Sequence, residues 1–242
     1  NACTGVSDLA WARDFVVATA TSAKIVSATV TVDVSTVFHD AVTGTNGKST
    51  TGLLIRAILT AAREKSGILG TIRYEIGSRS LSAPMTTPPA NDLQEYLWEM
   101  ANSGCRSAVM EVSSHALSQD RVRGVRFAVG IFTNLTRDHL DYHKTFDDYI
   151  SAKFSLFKKT GLENAVINIG DLYGVKLVEK LSKDLNVFAY SAKKSNLKFY
   201  RREKISFIYC EQIEVESFAA KIIKVQSPWG NVIIRVNLLG KF

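Results

Sequence analysis

Short apolar runs alternate with helical repeats along the middle of the chain, from about residue 42 to residue 191. Four continuous apolar runs have the composition of strands that are buried on both faces of a parallel sheet. They lie at residues 108–112, 128–132, 165–167 and 187–190. Strands that alternate with helices are typical of βαβ units, so the pattern predicts an α/β fold with a mostly parallel sheet flanked by helices.

Helices are expected between these strands. The first begins after Gly47, and its predicted apolar face consists of Leu53, Leu54, Ala57, Ile58 and Ala61. The second begins after Pro89 and ends near Gly104, with an apolar face of Leu93, Leu97 and Met100. Thr145 and Asp148 resemble a capping box, which predicts a helix from there to about Lys158.

The pattern changes after Ser191 to short β-like runs, which predict an antiparallel β meander appended to the parallel sheet. These runs lie at residues 205–208, 213–216, 222–225 and 232–234, with a turn at residues 228–231. Residues 77–78 mark a hairpin that follows a strand at residues 68–72. Before residue 40 the pattern indicates only a helix from Leu9 and a Thr/Val-rich strand.

Composition narrows the class of protein. Of the 242 residues 46% are hydrophobic and 22% are charged, which is typical of a globular protein and excludes a disordered or collagen-like chain. A net charge of +7 suits either a nucleic-acid binder or an enzyme of anionic substrates. Without a nucleic-acid-binding motif we expect no nucleic-acid partner. Three scattered cysteines and no uninterrupted apolar span predict a cytoplasmic protein with no membrane partner.

The letters GTNGKST lie between a predicted strand and the first predicted helix. This is the context of a phosphate-binding loop, where backbone N–H groups and the positive end of a helix converge on phosphate. The predicted ATP-binding residues are Gly44, Thr45, Asn46, Gly47, Lys48, Ser49 and Thr50. Lys48 is expected to reach the β- and γ-phosphates, and the Ser49 hydroxyl to hold Mg²⁺. Val42 replaces the first glycine of the full pattern, so the loop is a shortened variant.

The strand before this loop carries His39 and Asp40, which are unusual in the centre of a parallel sheet. The sequence pattern offers no role for either side chain.

TGTNGKSTT at residues 43–51 resembles the ATP loop of the Mur ligases, enzymes of peptidoglycan synthesis that add amino acids. Further matching strings follow in the family's order: TTP at 86–88, MEVSSHAL at 110–117, Gln119 with Arg121, TNLTRDHLDYH at 133–143, Ala152 with Lys153, and LLGKF at 238–242. The resemblance covers about residues 41–242. Within the family it is strongest to the enzymes that add the third peptide residue.

The resemblance implies an ATP-dependent amide ligase. ATP phosphorylates a substrate carboxylate, and an amine then displaces phosphate from the acyl-phosphate through a tetrahedral intermediate. The implied substrates are a UDP-muramoyl-dipeptide and a diamino acid, either lysine or meso-diaminopimelate, and the implied cofactors are ATP and Mg²⁺. The residues that match the family's substrate positions are Thr86, Thr87, Ser113, Gln119 and Arg121. Met85 stands where the family usually has Asn, so a side-chain hydrogen bond to substrate is in doubt.

The catalytic residues implied by the resemblance are Lys48, Glu111, His139 and Lys153. Its implied metal ligands are Ser49, Glu111, His139 and, as a carbamate, Lys153. Glu111 also ends an apolar strand, where ligands bind in open α/β sheets. From the residues alone, the nearby His115 and His143 could be metal ligands or hydrogen-bonded loop residues.

Lys153 lies on or beside an apolar helical stripe formed by Phe146, Tyr149, Ile150 and Phe157. Spacing is compatible with two environments for its amine. The commoner one is an ammonium that reaches water at the helix edge, and the other is a buried amine with a lowered pKa. The resemblance implies the second, with the neutral amine carbamylated by CO₂.

Two alternatives to a peptidoglycan ligase remain. A folylpolyglutamate or cyanophycin synthetase relative would share the loop and the lysine, although TTP and EVSSHAL favour a Mur ligase. A fragment could also bind ATP without turnover, because the chain starts without Met and ends on LLGKF. We expect residues 1–40 to be a remnant of an N-terminal domain or a linker. We expect residues 41–242 to be most of a central ATP-binding domain, monomeric and without its C-terminal neighbour.

Overall fold

The computed structural model describes residues 24–27, 30–33, 37–158, 161–192, 204–215 and 221–236. The chain divides into two compact units, Asn1–Ala165 and Val166–Phe242. The helix expected from Leu9 lies outside the described residues. No helix among the described residues combines the length and the apolar character that a membrane crossing requires.

The first unit contains an antiparallel pair of short strands and a larger mixed sheet. The pair consists of β1 (Lys24–Ser27) and β2 (Val30–Asp33). The strands of the larger sheet are β3 (Phe38–Thr43), β4 (Ser66–Leu69), β5 (Arg73–Ile76), β6 (Arg79–Ser82), β7 (Ser107–Glu111) and β8 (Val129–Phe132). Their order is β8-β3-β7-β4-β5-β6. β8, β3, β7 and β4 are mutually parallel, whereas β5 and β6 form the predicted antiparallel hairpin.

Five α-helices and a 3₁₀ turn connect these strands. They are α1 (Lys48–Ala61), α2 (Ala90–Asn102), α3 (Ser114–Ser118), α4 (Leu140–His143), α5 (Phe146–Ser155) and the turn Leu156–Lys158. The predicted cap of α5 is confirmed, since the Thr145 hydroxyl accepts a hydrogen bond from the Asp148 backbone N–H at 3.1 Å. The apolar face predicted for α2 is also confirmed.

The face of α1 that meets the sheet differs from the predicted one. Its buried residues are Gly52 and Leu59, whereas Leu54 and Ile58 are 44% and 54% exposed. A Cβ at position 52 would lie 3.6 Å from side-chain atoms of Ile68 in β4 and Val109 in β7. The helix therefore packs on the sheet through the face that carries Gly52 and Leu59, and Leu54 and Ile58 lie on its exposed side.

The second unit contains the β meander. Its elements are α6 (Leu172–Lys180), β10 (Asn186–Ser191), β11 (Ile205–Val215), β12 (Lys221–Ser227) and β13 (Gly230–Val236), while β9 (Asn164–Asn168) lies across the division between the units. β10 and β11 are parallel, and β11, β12 and β13 are antiparallel neighbours. The runs predicted at residues 205–208 and 213–216 belong to one strand up to Val215, because a bulge between Cys210 and Gln212 shifts its register without ending it.

β3 carries two buried polar side chains at its centre, as its sequence suggested. His39 and Asp40 are each 2% exposed, and neither His39 Nε2 nor Asp40 Oδ1 has a hydrogen-bond partner among the described residues. Burial lowers the pKa of His39 to about 4, although a hydrogen bond to the Arg126 backbone acts in the opposite direction. Burial raises the pKa of Asp40 to about 7.

Candidate functional site

The GTNGKST segment is a loop between β3 and α1, as predicted. Gly44 is required by a close approach, because a Cβ there would lie 2.0 Å from Thr133 Oγ1 and 3.0 Å from the Asn134 carbonyl oxygen. Gly47 caps α1 in the left-handed conformation, with φ of 84°, and offers no side chain to the helix. The first helical N–H groups, at residues 48–50, therefore face the loop without intrahelical acceptors.

The other end of the loop is fastened to the segment that follows β8. The Thr45 N–H donates to the Asn134 carbonyl oxygen at 2.9 Å, and the Asn46 N–H donates to Asn134 Oδ1 at 2.9 Å. The Thr45 hydroxyl accepts from the Thr136 N–H at 3.0 Å and lies 2.9 Å from the Tyr149 hydroxyl. Thr45 and Asn46 therefore serve the shape of the loop, and the N–H groups near Gly47 remain for a phosphate.

Lys48 and Lys153 meet at one carbonyl oxygen. Their ammonium groups donate to the oxygen of Gly44 at 3.0 Å and 2.9 Å, and Lys48 also donates to the oxygen of Thr45 at 2.9 Å. Burial lowers the pKa of Lys48, against the opposing charges of Glu111 and Asp138. Two amines of like charge are thus gathered beside the phosphate loop.

Lys153 is buried, so its amine does not reach water at the helix edge. It is 2% exposed, and burial lowers its pKa to about 7, with the charge of Lys48 acting in the same direction and that of Asp138 against it. The Tyr149 ring, one turn earlier on α5, lies with its centroid 4.7 Å from the amine. A pKa near 7 leaves a large fraction of the amine neutral at physiological pH.

Glu111 lies at the end of β7, beside the start of α1. Its carboxylate accepts from the Ser49 hydroxyl at 3.0 Å, from the Thr71 N–H at 2.9 Å and from the Thr71 hydroxyl at 3.0 Å. Glu111 approaches the backbone so closely that a Cβ on Gly70 would lie 2.3 Å from Glu111 Oε1. A carboxylate beside a hydroxyl fits Mg²⁺, which binds few protein oxygens and takes its other ligands from phosphate and water.

The predicted substrate residues form a connected row beside Glu111. The buried Thr87 hydroxyl donates to the Glu111 backbone oxygen at 2.8 Å and accepts from the Ser113 N–H at 3.0 Å. The Thr86 hydroxyl lies 3.0 Å from the Thr71 hydroxyl and donates to it, because the single Thr71 proton is donated to Glu111. The two threonines of the TTP string therefore lie next to the carboxylate expected to bind the metal.

Arg121 extends this row. Its guanidinium donates to the Thr87 backbone oxygen at 3.0 Å, to Gln119 Oε1 at 2.8 Å and to the sulfur of Met85 at 3.1 Å. Gln119 in turn donates to the Tyr142 hydroxyl at 3.0 Å. Met85 thus contacts the guanidinium through its sulfur. No acidic side chain among the described residues pairs with Arg121, so its charge is available to an anion.

His139 lies in a cluster of rings outside this row. It adopts a left-handed conformation at the start of α4, with its ring 4.9 Å from that of His115. The His115 ring lies 4.1 Å from Tyr142 and 5.5 Å from His143. Burial, followed by the neighbouring histidines, lowers the pKa of His115 and of His143. In the part of the chain that the structure describes, no three His, Cys, Asp or Glu side chains are arranged to hold a metal ion.

The structure therefore groups most of the predicted residues around the loop and Glu111, and it places His139 in the ring cluster, beside His115 and Tyr149. Three residues of the site were missed in the sequence, namely Thr71, Asn134 and Tyr149. Thr71 and Asn134 follow β4 and β8, and the carboxyl ends of parallel strands are where open α/β sheets bind ligands. Only Tyr149 lacked such a signal, because its ring suited an ordinary core position.

Comparison with known proteins identifies the relatives of this site. The sequence model of the Mur ligase middle domain matches residues 42–242. The UDP-N-acetylmuramoyl-L-alanyl-D-glutamate–2,6-diaminopimelate ligase of Nostoc sp. is 41% identical over 202 residues, which cover 83% of this chain and 38% of that protein. The chain spans about a third of the length of the curated relatives it matches.

Two solved structures show the same fold. The structure of a UDP-N-acetylmuramoyl-L-alanyl-D-glutamate–2,6-diaminopimelate ligase superimposes with a TM-score of 0.72 at 31% identity. The match covers 84% of this chain and 40% of the ligase chain. A complex titled FPGS-AMPPCP superimposes with a TM-score of 0.59 at 16% identity, covering 84% of this chain and 55% of its own. The second likeness concerns the fold alone. Through the match over residues 42–242, the chain belongs to the Mur ligase family.

Proposed function

We propose that this chain forms the ATP-binding centre of a ligase that joins a diamino acid to UDP-muramoyl-dipeptide during peptidoglycan synthesis. The observation that carries the proposal is the contact of Ser49 with Glu111 at 3.0 Å, beside the open N-terminus of α1 and the Lys48 ammonium. This arrangement combines N–H donors and a cation for phosphate with oxygen ligands for a divalent metal.

Lys48 and the N–H groups at residues 48–50 bind the β- and γ-phosphates of ATP. Lys48 leaves the oxygens of Gly44 and Thr45 and neutralises the charge that develops on the transferred phosphoryl group. Mg²⁺ held by Ser49 and Glu111 would add charge neutralisation at the same oxygens. Glu111 is kept in place by its two hydrogen bonds from Thr71.

The row that contains Thr86, Thr87, Ser113, Gln119 and Arg121 holds the UDP-muramoyl-dipeptide. Arg121 pairs with an anionic group of this substrate, because its guanidinium is oriented by neutral acceptors only. The row adjoins Glu111 through Thr87, so a carboxylate bound there lies close to the γ-phosphate. The carboxylate oxygen attacks phosphorus, ADP leaves, and the amine then displaces phosphate from the acyl-phosphate.

Lys153 is carbamylated in the working enzyme. Its neutral amine adds to CO₂, forming an N–C bond and releasing a proton, and the resulting carboxylate would serve as a further ligand for Mg²⁺. Burial and the pKa of about 7 support this step, since both favour the neutral nucleophile. His139, whose ring lies 6.1 Å from that of Tyr149, would supply a further ligand to the metal.

The incoming diamino acid is 2,6-diaminopimelate, because the relatives' names specify it. Phosphate release should occur only with ATP, UDP-muramoyl-dipeptide and diaminopimelate together. Release driven by a folate would support the folylpolyglutamate alternative and contradict the proposal. ATP binding without turnover for any acceptor would support the ATP-binding fragment instead.

A further inference from the structure

Asn134 makes the densest set of contacts with the phosphate loop, and it lies outside every set of residues predicted to bind ATP, metal or substrate. Its Oδ1 accepts from the Asn46 N–H at 2.9 Å, its Nδ2 donates to the Asn46 carbonyl oxygen at 3.1 Å, and its own carbonyl accepts from the Thr45 N–H at 2.9 Å. One residue thus bonds three polar groups of the loop backbone, the N–H of Thr45 and both peptide groups of Asn46.

The side-chain amide is complementary to Asn46 in a way that few residues can reproduce. The Asn46 N–H can only donate and its carbonyl can only accept, so the amide must present its oxygen to the first and its nitrogen to the second. Thr133 adds a donor to the same Asn46 carbonyl at 2.6 Å. Leu at position 134 would lack both groups that this pairing needs, and Asp would lack the donor.

The loop needs such an external restraint because it is flanked by glycines. Gly44 and Gly47 have φ values of 150° and 84°, and residues with this freedom lose much entropy when a ligand orders them. Residues 45 and 46 form no helix or strand of their own. Hydrogen bonds from Asn134 hold residues 45 and 46 in place before phosphate binds. The N–H groups at residues 47–50 remain free of these bonds and can bind phosphate.

We propose that Asn134 is a positioning residue of the phosphate loop: its amide holds the Asn46 peptide groups so that the loop is shaped for a polyphosphate before binding. This inference rests on the proposed function, which supplies the polyphosphate. It adds that affinity for phosphate depends on a side chain that does not touch it.

The test compares Asn134→Ala with wild type, and Asn102→Ala at the exposed end of α2 provides the same change on a different element. Amide hydrogen exchange of Asn46, measured by NMR without nucleotide, should accelerate at least about tenfold in Asn134→Ala. Affinities for ATP and for inorganic tripolyphosphate, measured by calorimetry, should both fall about tenfold, since two hydrogen bonds are lost. Asn102→Ala should change neither quantity.

Unchanged Asn46 exchange or unchanged tripolyphosphate affinity in folded Asn134→Ala would overturn the inference. If Asn134→Ala does not fold, Asn134→Leu replaces it, because Leu is neutral and of similar size and lacks both the acceptor and the donor that Asn46 uses. Asn134→Leu should likewise speed exchange of the Asn46 amide and weaken tripolyphosphate binding, and wild-type affinity would contradict the inference. Wild-type protein that binds neither ATP nor tripolyphosphate refutes the proposed function, whereas the exchange result still decides whether Asn134 fixes the loop.

Discussion

The carboxyl end of β3 and the centre of the strand differ in how their buried polar groups are bonded. At the carboxyl end, Gly44 and the neighbouring Glu111 have their polar atoms bonded to Lys48, Lys153, Ser49 and Thr71. At the centre of the strand, His39 Nε2 and Asp40 Oδ1 are buried without partners among the described residues. A buried polar atom without a partner costs about 1–3 kcal/mol. The first set of polar groups serves a site, whereas the second set only lowers stability.

The largest effect is expected at the bonded end, from Lys48→Ala. The substitution removes the ammonium that faces the phosphates and leaves the oxygens of Gly44 and Thr45 with one donor fewer. We expect ATP affinity to fall by at least about a hundredfold, because hydrogen bonds to charged groups are strong. Calorimetric titration measures this change. Unchanged affinity would refute the assignment of the phosphate loop.

Lys153→Met should stabilise the fold while removing a functional group. The folded pKa of about 7 lies below the ordinary 10.5, so the native state binds fewer protons than the unfolded state between these values. The ammonium therefore lowers stability most below pH 7, and the loss diminishes as the pH rises towards 10.5. Removing the amine should raise the free energy of unfolding at pH 7 by roughly 3 kcal/mol, as measured by urea denaturation.

Lys158→Met provides the control, because Lys158 is exposed at the end of the 3₁₀ turn and undergoes the same change. It should alter stability little. A wild-type sample supplied with ¹³C-bicarbonate should also show a carbamate carbon signal by NMR, and the signal should be absent in Lys153→Met. Equal stability of Lys153→Met and wild type would mean that the buried amine costs nothing.

The sequence predicted the parallel sheet, its helices and the residues around the loop, because strand periodicity and long motifs depend on local spacing. It did not predict which face of α1 is buried, since that face is set by packing of Gly52 and Leu59 against the sheet, which helical spacing alone does not reveal. It placed Asn134 after a buried strand, but the hydrogen bonds of Asn134 to Thr45 and Asn46 depend on β8 pairing with β3, which local spacing does not reveal. Spacing left the exposure of Lys153 open, and packing of α5 decided it.

Replacing one carboxyl at the centre of β3 and another beside its carboxyl end should change stability in opposite directions. Asp40→Val places an apolar side chain in register with Val109 of β7 and Val129 of β8, and it removes the buried carboxyl. We expect stabilisation by about 2 kcal/mol in urea denaturation. Glu111→Val should instead lower the free energy of unfolding, because the Ser49 hydroxyl and the Thr71 N–H lose their hydrogen-bond acceptor. Loss of stability in Asp40→Val would show that its carboxyl has a partner.

The smallest expected effect is a pH dependence of the free energy of unfolding, in which the contributions of two groups nearly cancel in wild type. The folded pKa of Asp40, about 7, exceeds the ordinary 3.8, so its contribution to stability falls as the pH rises through this window. The folded pKa of His39, about 4, lies below the ordinary 6.5, so its contribution falls as the pH drops from 6.5 to 4. Between pH 4 and 6.5 the two slopes oppose each other and nearly cancel.

Single substitutions should reveal each slope. In Asp40→Asn, His39 is the one titrating group that remains of the pair. The free energy of unfolding should therefore fall towards acid pH by up to about 1.4 kcal/mol per pH unit. His39→Gln leaves Asp40 alone and should produce a slope of the opposite sign over the same range. Urea denaturation between pH 4.5 and 6.5, inside the interval set by the two groups, measures both slopes. Slopes of the same sign in the two variants would mean that at least one of these side chains is paired or hydrated in solution, and the centre of β3 would then resemble its carboxyl end.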